Sequence, residues 1–273
     1  MNNRIASSVC SLGLVFGVWE LSYLLGFYSE TVMPPPHVLL WNLPAQAVHF
    51  DFGSRIAGEA VASNSTLAVL TTTGATIARV CAGLALGFVL GVLTGLAIRY
   101  YRFFGNIVLP TLTLLAPISP FAWLPVAVFM FGVGDVPAVF LVFIAVYFII
   151  VIATIAEVDS VSVTFLNVAR IMGASRRQIY LEVILPSALP GLFLMLRVNL
   201  FVAWMVVLIA ESAGTSAGLG AVIMLARNTA NDELVFFGFI VIGVVGFLFD
   251  LTLRIVQQRL LYWRQTDVGV ATA

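Results

Sequence analysis

Residues 156–190 read AEVDSVSVTFLNVARIMGASRRQIYLEVILPSALP. This is the longest stretch after residue 65 that cannot lie inside hydrocarbon, because it carries Glu157, Asp159, Arg170, Arg176, Arg177 and Glu182. On both sides the chain is apolar over lengths that cross a bilayer. Within the stretch, Phe165, Val168, Ala169 and Met172, then Ile179 and Val183, fall at helical spacing. Gly173 stands between the two sets, where a helix C-cap would place it. Pro186 and Pro190 are expected to break the following helix as it enters the membrane. The reading is helix, glycine turn, helix, membrane. Spacing alone leaves two uses open for the short helix: an apolar face with flanking arginines offered to a partner, or an amphipathic helix lying on the lipid interface.

The rest of the composition agrees with a membrane setting. Hydrophobic residues make up 61% of the 273 and charged residues 10%, with a mean hydropathy of +1.08, whereas soluble domains are about a quarter charged. The net charge of zero gives no sign of a nucleic-acid partner. All 13 basic residues are arginine. A P-loop needs a lysine to reach the β- and γ-phosphates, so any ATP chemistry belongs to another chain. Cys10 and Cys81 fall in apolar spans near opposite membrane faces, which suits packing rather than a disulfide. His37 and His49 share a polar loop with no metal-ligand spacing around them, so no metal is expected.

Hydropathy predicts an all-α polytopic protein, a single transmembrane domain over 1–273 with six spans at about 5–27, 80–98, 105–131, 136–155, 189–212 and 234–256. The first run, about 23 residues long, is too long for a signal-peptide core and lacks a cleavage site. Residues 28–66 are broken by Pro34, Pro35, Pro36 and Pro44, with a short interfacial helix expected around Ala45–Phe52. In the second span Gly83, Gly87, Gly91 and Gly95 form an i, i+4 series, a smooth groove against which a neighbouring helix can pack closely. Arg79 is expected at the edge of that span, on lipid headgroups or a loop carboxylate. The third span contains Pro110, Pro117, Pro120 and Pro125. Breaks of this kind are tolerated where backbone faces protein or a water-filled cavity. Pro117, Ser119, Pro120 and Trp123, with Glu211 at the end of the fifth span, are therefore candidates to line a pathway; a kinked packing helix fits the prolines equally well. Gly132 to Asp135 forms a tight turn, and residues 213–233 form an outer loop.

Arginine distribution orients the chain. Arg4, Arg99, Arg102, Arg170, Arg176, Arg177, Arg254, Arg259 and Arg264 fall on one side, and Arg55, Arg79 and Arg227 on the other. By the positive-inside rule both termini and the loop 156–188 are cytoplasmic. Arg197 lies about 11 residues beyond Pro186, ~16 Å along the helix axis, and needs a partner at that depth. Asp250 in the sixth span is the expected one, with contact to an anionic solute as the alternative.

The segment NVARIMGASRRQIYLEVILPSALPG (167–191) resembles the cytoplasmic loop of the permeases of ABC importers. That family's pattern is Glu-Ala-Ala, three residues, Gly, nine residues, Ile, one residue, Leu-Pro. It maps with every spacing intact onto Asn167-Val168-Ala169, Gly173, Val183 and Leu185-Pro186. Further stretches resemble the nitrate/sulfonate/taurine subgroup: LVFGVWEL (14–21), VMPPPHVL (32–39), PISPFAWLPVAVFMFGVGD (117–135), GASRRQIYLEVILPSALPGLFLMLR (173–197), SAGLGAVI (216–223) and LVFFGFIVIGVVGFLFDLTLR (234–254). The resemblance runs through nearly the whole chain, in order.

It implies a type I importer permease in a bacterial inner membrane, working as a homodimer. Two cytoplasmic ATPase subunits would bind ATP and Mg, and a periplasmic or lipid-anchored binding protein would deliver the cargo. This chain would bind no cofactor and do no covalent chemistry. Asn167, Val168, Ala169, Arg170, Gly173, Ala174, Ser175, Arg176, Leu185 and Pro186 would form the ATPase-coupling element. Asn167 stands where the pattern has Glu, which leaves Arg170 or Arg176 to make the polar contact. The turn ESAGTSAG also departs from the family's Ala-Glu-Met-Leu-Gly form. The implied cargo is a small anion of the sulfonate, taurine or nitrate kind, with bicarbonate or a vitamin-precursor pyrimidine as the alternative. A secondary transporter or channel would call for more midplane charges and an internal repeat, and an intramembrane enzyme for a Ser/His, HExxH or paired-aspartate set; the sequence carries none of these.

Overall fold

The structure, a computed structural model, describes residues 13–14, 16–27, 33–51, 65–215 and 217–260. It is all-α, with no strand among the described residues. The helices are α1 (Pro36–Ala47), α2 (Ser65–Tyr100), α3 (Arg102–Leu115), α4 (Leu124–Phe131), α5 (Asp135–Ser160), α6 (Val163–Ile171), α7 (Arg176–Ser212), α8 (Leu219–Asn228) and α9 (Asp232–Leu260). Four of them, α2, α5, α7 and α9, are long and apolar enough to cross a membrane; α3 with residues 120–131 makes a fifth if a bent pair counts as one span. In the first predicted span residues 16–24 are helical, and Cys10 lies outside the described residues.

The chain forms two compact units, 1–75 with 216–244 and 76–215 with 245–273. In the first, Phe50 at the end of a 3₁₀ turn is fully buried. Its ring meets Phe237 edge-on at 5.2 Å and its carbonyl accepts from Thr72 Oγ1 at 2.8 Å. Glu233 in the first turn of α9 accepts from Asn42 and from Gln46 (2.9 Å) of α1. The interfacial helix expected near Ala45–Phe52 thus begins earlier, at Pro36, where proline suits a first turn. His37 pairs with Glu20 at 2.7 Å. The loop expected over 213–233 contains α8, which buries Leu219, Val222 and Ala226, three positions on one helical face.

In the second unit α5 is the centre. It buries Leu141, Val142, Val146, Ile150 and Val151, among others. α5 packs along much of its length against α7. The glycine groove of α2 lies against the same helix: a Cβ at Gly83, Gly87, Gly91 or Gly95 would meet Val142, Val146, Ile150 or Thr154 at 2.5–2.9 Å. A further cluster of Ile98, Leu112, Ile144, Phe148 and Val151 seats α3 on α5.

Three predicted boundaries differ from the observed ones. α2 starts fifteen residues before the predicted 80, because its threonines do not interrupt a helix when their hydroxyls find acceptors, as Thr71 does at Ala68 O (3.0 Å). The third span is not one helix. It bends by 96° between α3 and residues 120–131, where Pro117 cannot extend α3 and Ser119 with Pro120 starts a new helical turn, Ser119 Oγ accepting from Phe121 N at 3.4 Å. The fifth helix begins at Arg176 and is not broken by Pro186 or Pro190. A π-helical turn over Ile179–Ile184 precedes Pro186, and its wider spacing relieves the clash a proline ring makes with the carbonyl one turn back.

Candidate functional site

The loop between α5 and α7 is built from local rules. Ser162 caps α6, its hydroxyl accepting from Thr164 N at 3.3 Å. At the other end Ala174 N donates to Ala169 O and Gly173 N to Arg170 O, both at 3.0 Å. Those two bonds make a Schellman cap, which requires a left-handed residue at its turn; Gly173 has φ +80°. The Ala169 to Gly173 spacing is thus the first and fifth positions of one cap, and Ala169 is buried. Ser175 and Gln178 then form a capping box that starts α7, Ser175 N donating to Gln178 Oε1 at 2.9 Å and Gln178 N to Ser175 Oγ at 3.3 Å.

α6 turns its apolar side outward. Phe165 is 59% exposed, Val168 50%, Ile171 86% and Met172 81%. Asn167 and Arg170 flank this face, the Arg170 guanidinium donating to Asn167 Oδ1 at 3.4 Å.

The α7 side of the loop is tied to the end of α2. The last carbonyls of a helix have no intrahelical donor and attract positive charge. Here Arg176 Nη2 donates to Tyr100 O at 2.5 Å and Tyr180 Oη to Arg99 O at 2.8 Å. The Arg176 guanidinium also lies 4.8 Å over the Tyr100 ring, which meets Tyr180 edge-on at 4.9 Å. Arg99 pairs with Asp159 at the end of α5. The Glu157 carboxylate rests on Gly191, where any Cβ would collide with it. Leu185 and Pro186 lie behind this tether, half-buried in α7. Arg176 is therefore engaged within the chain, and Arg170 is the arginine presented beside the apolar face. The charge count used Arg99 and Arg176 only to orient the chain, and neither Tyr100 nor Tyr180 was singled out; tyrosines beside arginines at a helix C-terminus were the available signal.

The other singled-out residues fall in different places. Arg197 Nε donates to Asp250 Oδ1 at 2.6 Å and its Nη2 to Oδ2 at 3.0 Å, a two-point pair between α7 and α9; Arg254 reaches Asp250 at 3.4 Å. Glu211 lies at no open surface. It is 1% exposed and accepts from Arg79 at 2.5 Å and from Thr76 Oγ1 at 3.1 Å. Arg79, placed at a span edge by its sequence, is 6% exposed and also bridges to Asp135 at 2.6 Å. Glu211 and Asp135 both stand where α7 ends and α5 begins, so this ionic cluster ties α2, α5 and α7 together. Of the proline segment, Pro117 and Ser119 are exposed at the bend, whereas Trp123 packs against the α3–α5 cluster. No group of three potential metal ligands occurs among the described residues.

A bundle of long apolar helices, with ion pairs enclosed in it and a capped polar loop at one end, defines a multi-span α-helical membrane protein. Residues 87–262 match the family of binding-protein-dependent transport system inner membrane components, and the chain belongs to that family. It is a transport component of the inner membrane. A putative ABC transporter permease of Methanocaldococcus jannaschii is 34% identical over 190 residues, 69% of this chain and 71% of that one. The taurine transport system permease protein TauC of Escherichia coli is 29% identical over 266 residues, 96% and 91% of the two chains. Among solved structures, a chain of the MetNI methionine ABC transporter matches with a TM-score of 0.59 at 19% identity, over 72% of this chain and 99% of that one. That likeness concerns the fold alone.

Proposed function

We propose that the chain is the permease subunit of an ATP-driven importer and that it forms the translocation pathway with a second copy of itself. Two ATPase subunits holding ATP and Mg dock on the α6 loop from the cytoplasm, where both termini also lie. A binding protein delivers the cargo from the other side, and closure of the ATPases shifts the pair between states open to either face. The observation that carries this reading is the exposed face of Phe165, Val168, Ile171 and Met172 on a helix whose two ends are capped and whose neighbour is tethered to α2. A push on that face moves α7 and α2 and not merely a loose loop. The cargo is a small solute with an anionic group of the sulfonate kind, as taurine has, in keeping with the name of the Escherichia coli relative; nitrate shares the small size and the single negative group.

Ile171→Glu tests the docking. Ile171 is 86% exposed, so the substitution leaves folding intact, while a carboxylate in an apolar cleft costs several kcal/mol. The expected result is normal membrane abundance, loss of ATPase co-purification and loss of transport. Gly173→Arg, strained at φ +80°, is expected to act in the same way, and Gly173→Asn, which tolerates that conformation, to act mildly. Retention of the ATPase and of transport by Ile171→Glu and Gly173→Arg would refute the docking assignment. Ligand screening of the cognate binding protein tests the cargo: preference for a solute that carries no anionic group would overturn the reading.

A further inference from the structure

A cavity of about 490 Å³ opens where α2 gives way to α3, and it is lined by Arg99, Arg102 and Arg176 together with Asn106 and Gly105. Only Tyr101 separates the two helices. The approach is close because Gly105 has no side chain: a Cβ there would fall 2.6 Å from the carbonyl oxygen of Ile98. The first turn of α3 is thereby held beside the last turn of α2.

The charges in this cavity do not cancel. Arg99 has Asp159 as its counter-ion. Arg176 contacts a carbonyl and an aromatic ring and has no carboxylate partner among the described residues. Arg102 is exposed and makes no hydrogen bond or ion pair among the described residues. Three guanidinium groups thus face one carboxylate. The first-turn N–H groups of α3 add to the positive potential, as the cap residue Tyr101 offers them no side-chain acceptor.

The surroundings indicate what kind of anion fits. Leu109 and Pro110 form an apolar wall. Just outside, Phe103 is 80% exposed and Ile107 56%, and both lie on α3 next to the charged rim. The cavity also sits at the end of a helix apolar enough to span a bilayer, hence at the level where hydrocarbon meets headgroups. We propose that it binds the phosphate of an anionic phospholipid, with the guanidinium groups and α3 N-terminus on the phosphate and the acyl chains along Phe103 and Ile107. Bidentate guanidinium–phosphate contacts suit this better than a lysine-rich site would. The site does not depend on the ATPase-docking reading, although Arg176 is part of both elements.

The test uses the full chain with whatever subunits purify alongside it, in neutral detergent, with retained lipid read by native mass spectrometry after addition of phosphatidylglycerol or phosphatidylcholine. Arg102→Gln is compared with Arg177→Gln, which removes the same charge from the same end of the molecule but outside this cavity. The expected result is selective retention of phosphatidylglycerol, weakened about fivefold by Arg102→Gln and by under about twofold by Arg177→Gln, with Arg102→Lys, which keeps the charge but loses the two-point contact, falling between wild type and Arg102→Gln. Unchanged melting of the lipid-free variants shows that the fold is intact. Equal loss in both Gln variants, or no headgroup preference, overturns the proposal. Displacement of the lipid by millimolar inorganic phosphate would assign the cavity to a free phosphate instead. Loss of a co-purifying subunit with lipid retention unaltered would assign it to a protein carboxylate.

Discussion

Replacing the groove glycines of α2 by alanine, one at a time, is a direct measure of how closely α2 and α5 are held. The same methyl group is added in every case, so only the surroundings vary. At Gly83 the new Cβ would lie 2.5 Å from Val142 Cβ and Cγ1 and 3.0 Å from Val139 O; at Gly95 it would lie 2.6 Å from Thr154 Cβ and 3.1 Å from Val151 O. Gly91 and Gly87 are slightly roomier, with nearest approaches of 2.8 Å and 2.9 Å. Ordinary carbon–carbon contact is about 3.5–4.0 Å, so the helices must separate by roughly 0.6–1.5 Å. Rotamer changes cannot supply that distance, because backbone carbonyls of α5 and the branched Cβ atoms themselves are in the way. Overpacking of this kind costs about 1–3 kcal/mol, offset by up to about 1 kcal/mol from the better helix propensity of alanine.

Gly74, on the same helix, has nothing within 4 Å of the place an alanine methyl would take. There the propensity gain stands alone, about 0.5–1 kcal/mol of stabilisation. Equilibrium unfolding in mixed micelles is expected to rank Gly83→Ala and Gly95→Ala as most damaging, then Gly91→Ala and Gly87→Ala, with Gly74→Ala at or above wild type. A second signature follows from geometry. Val142 and Val146 lie one turn apart on α5, so one displacement relieves both Gly83→Ala and Gly87→Ala. The double variant is expected to lose less than the sum of the singles by about 0.5 kcal/mol or more. Strict additivity, or a Gly83→Ala protein as stable as Gly74→Ala, would refute the close contact.

Two further substitutions probe the enclosed charges. Arg79→Leu takes the guanidinium away from a carboxylate that is 1% exposed, a loss of about 3–5 kcal/mol; membrane abundance is expected to fall and to recover in Arg79→Leu/Glu211→Leu, and equal abundance of single and double variants would contradict a structural pair. Arg197→Gln breaks the two-point contact with Asp250, so transport and membrane abundance are expected to fall together and to recover in part with Asp250→Asn. Transport lost at wild-type abundance would instead assign Arg197 to the solute.

These charges also mark where the sequence was readable and where it was not. The helical class followed from hydropathy alone, and the place of Gly173 from a backbone requirement of its cap, which is local and therefore visible in the spacing. The bend after α3 was present as a run of prolines, but proline content does not fix an angle; the 96° depends on how α3 and α4 seat on α5. Pro186 and Pro190 misled in the opposite direction, because one π turn upstream lets the helix continue. Such a turn is set by the packing of α7 on its neighbours and leaves no compositional mark.

The contrast between Arg197 and Arg79 is the more instructive one. The same rule, that a cation within the membrane needs an acidic partner, applies to both. For Arg197 it points to Asp250, the single carboxylate at matching depth in the final span. For Arg79 a span drawn from residue 80 put the arginine at the membrane edge, where lipid headgroups or a loop carboxylate would do; Asp135 is such a carboxylate, and what went unseen is the buried Glu211. Extending α2 to Ser65 places Arg79 well inside the helix and brings Glu211 and Asp135, 132 and 56 positions away, to its guanidinium. Thr71 and Thr72 contributed to the error, since hydropathy scores a hydroxyl as polar without regard to the acceptors these two find at Ala68 O and Phe50 O. A reading that treats threonine as neutral when it lies within one turn of a carbonyl would lengthen the span. It would leave Arg79 in need of a partner and Glu211 as the nearest acidic end of an adjacent span, and so recover the ionic cluster from the sequence.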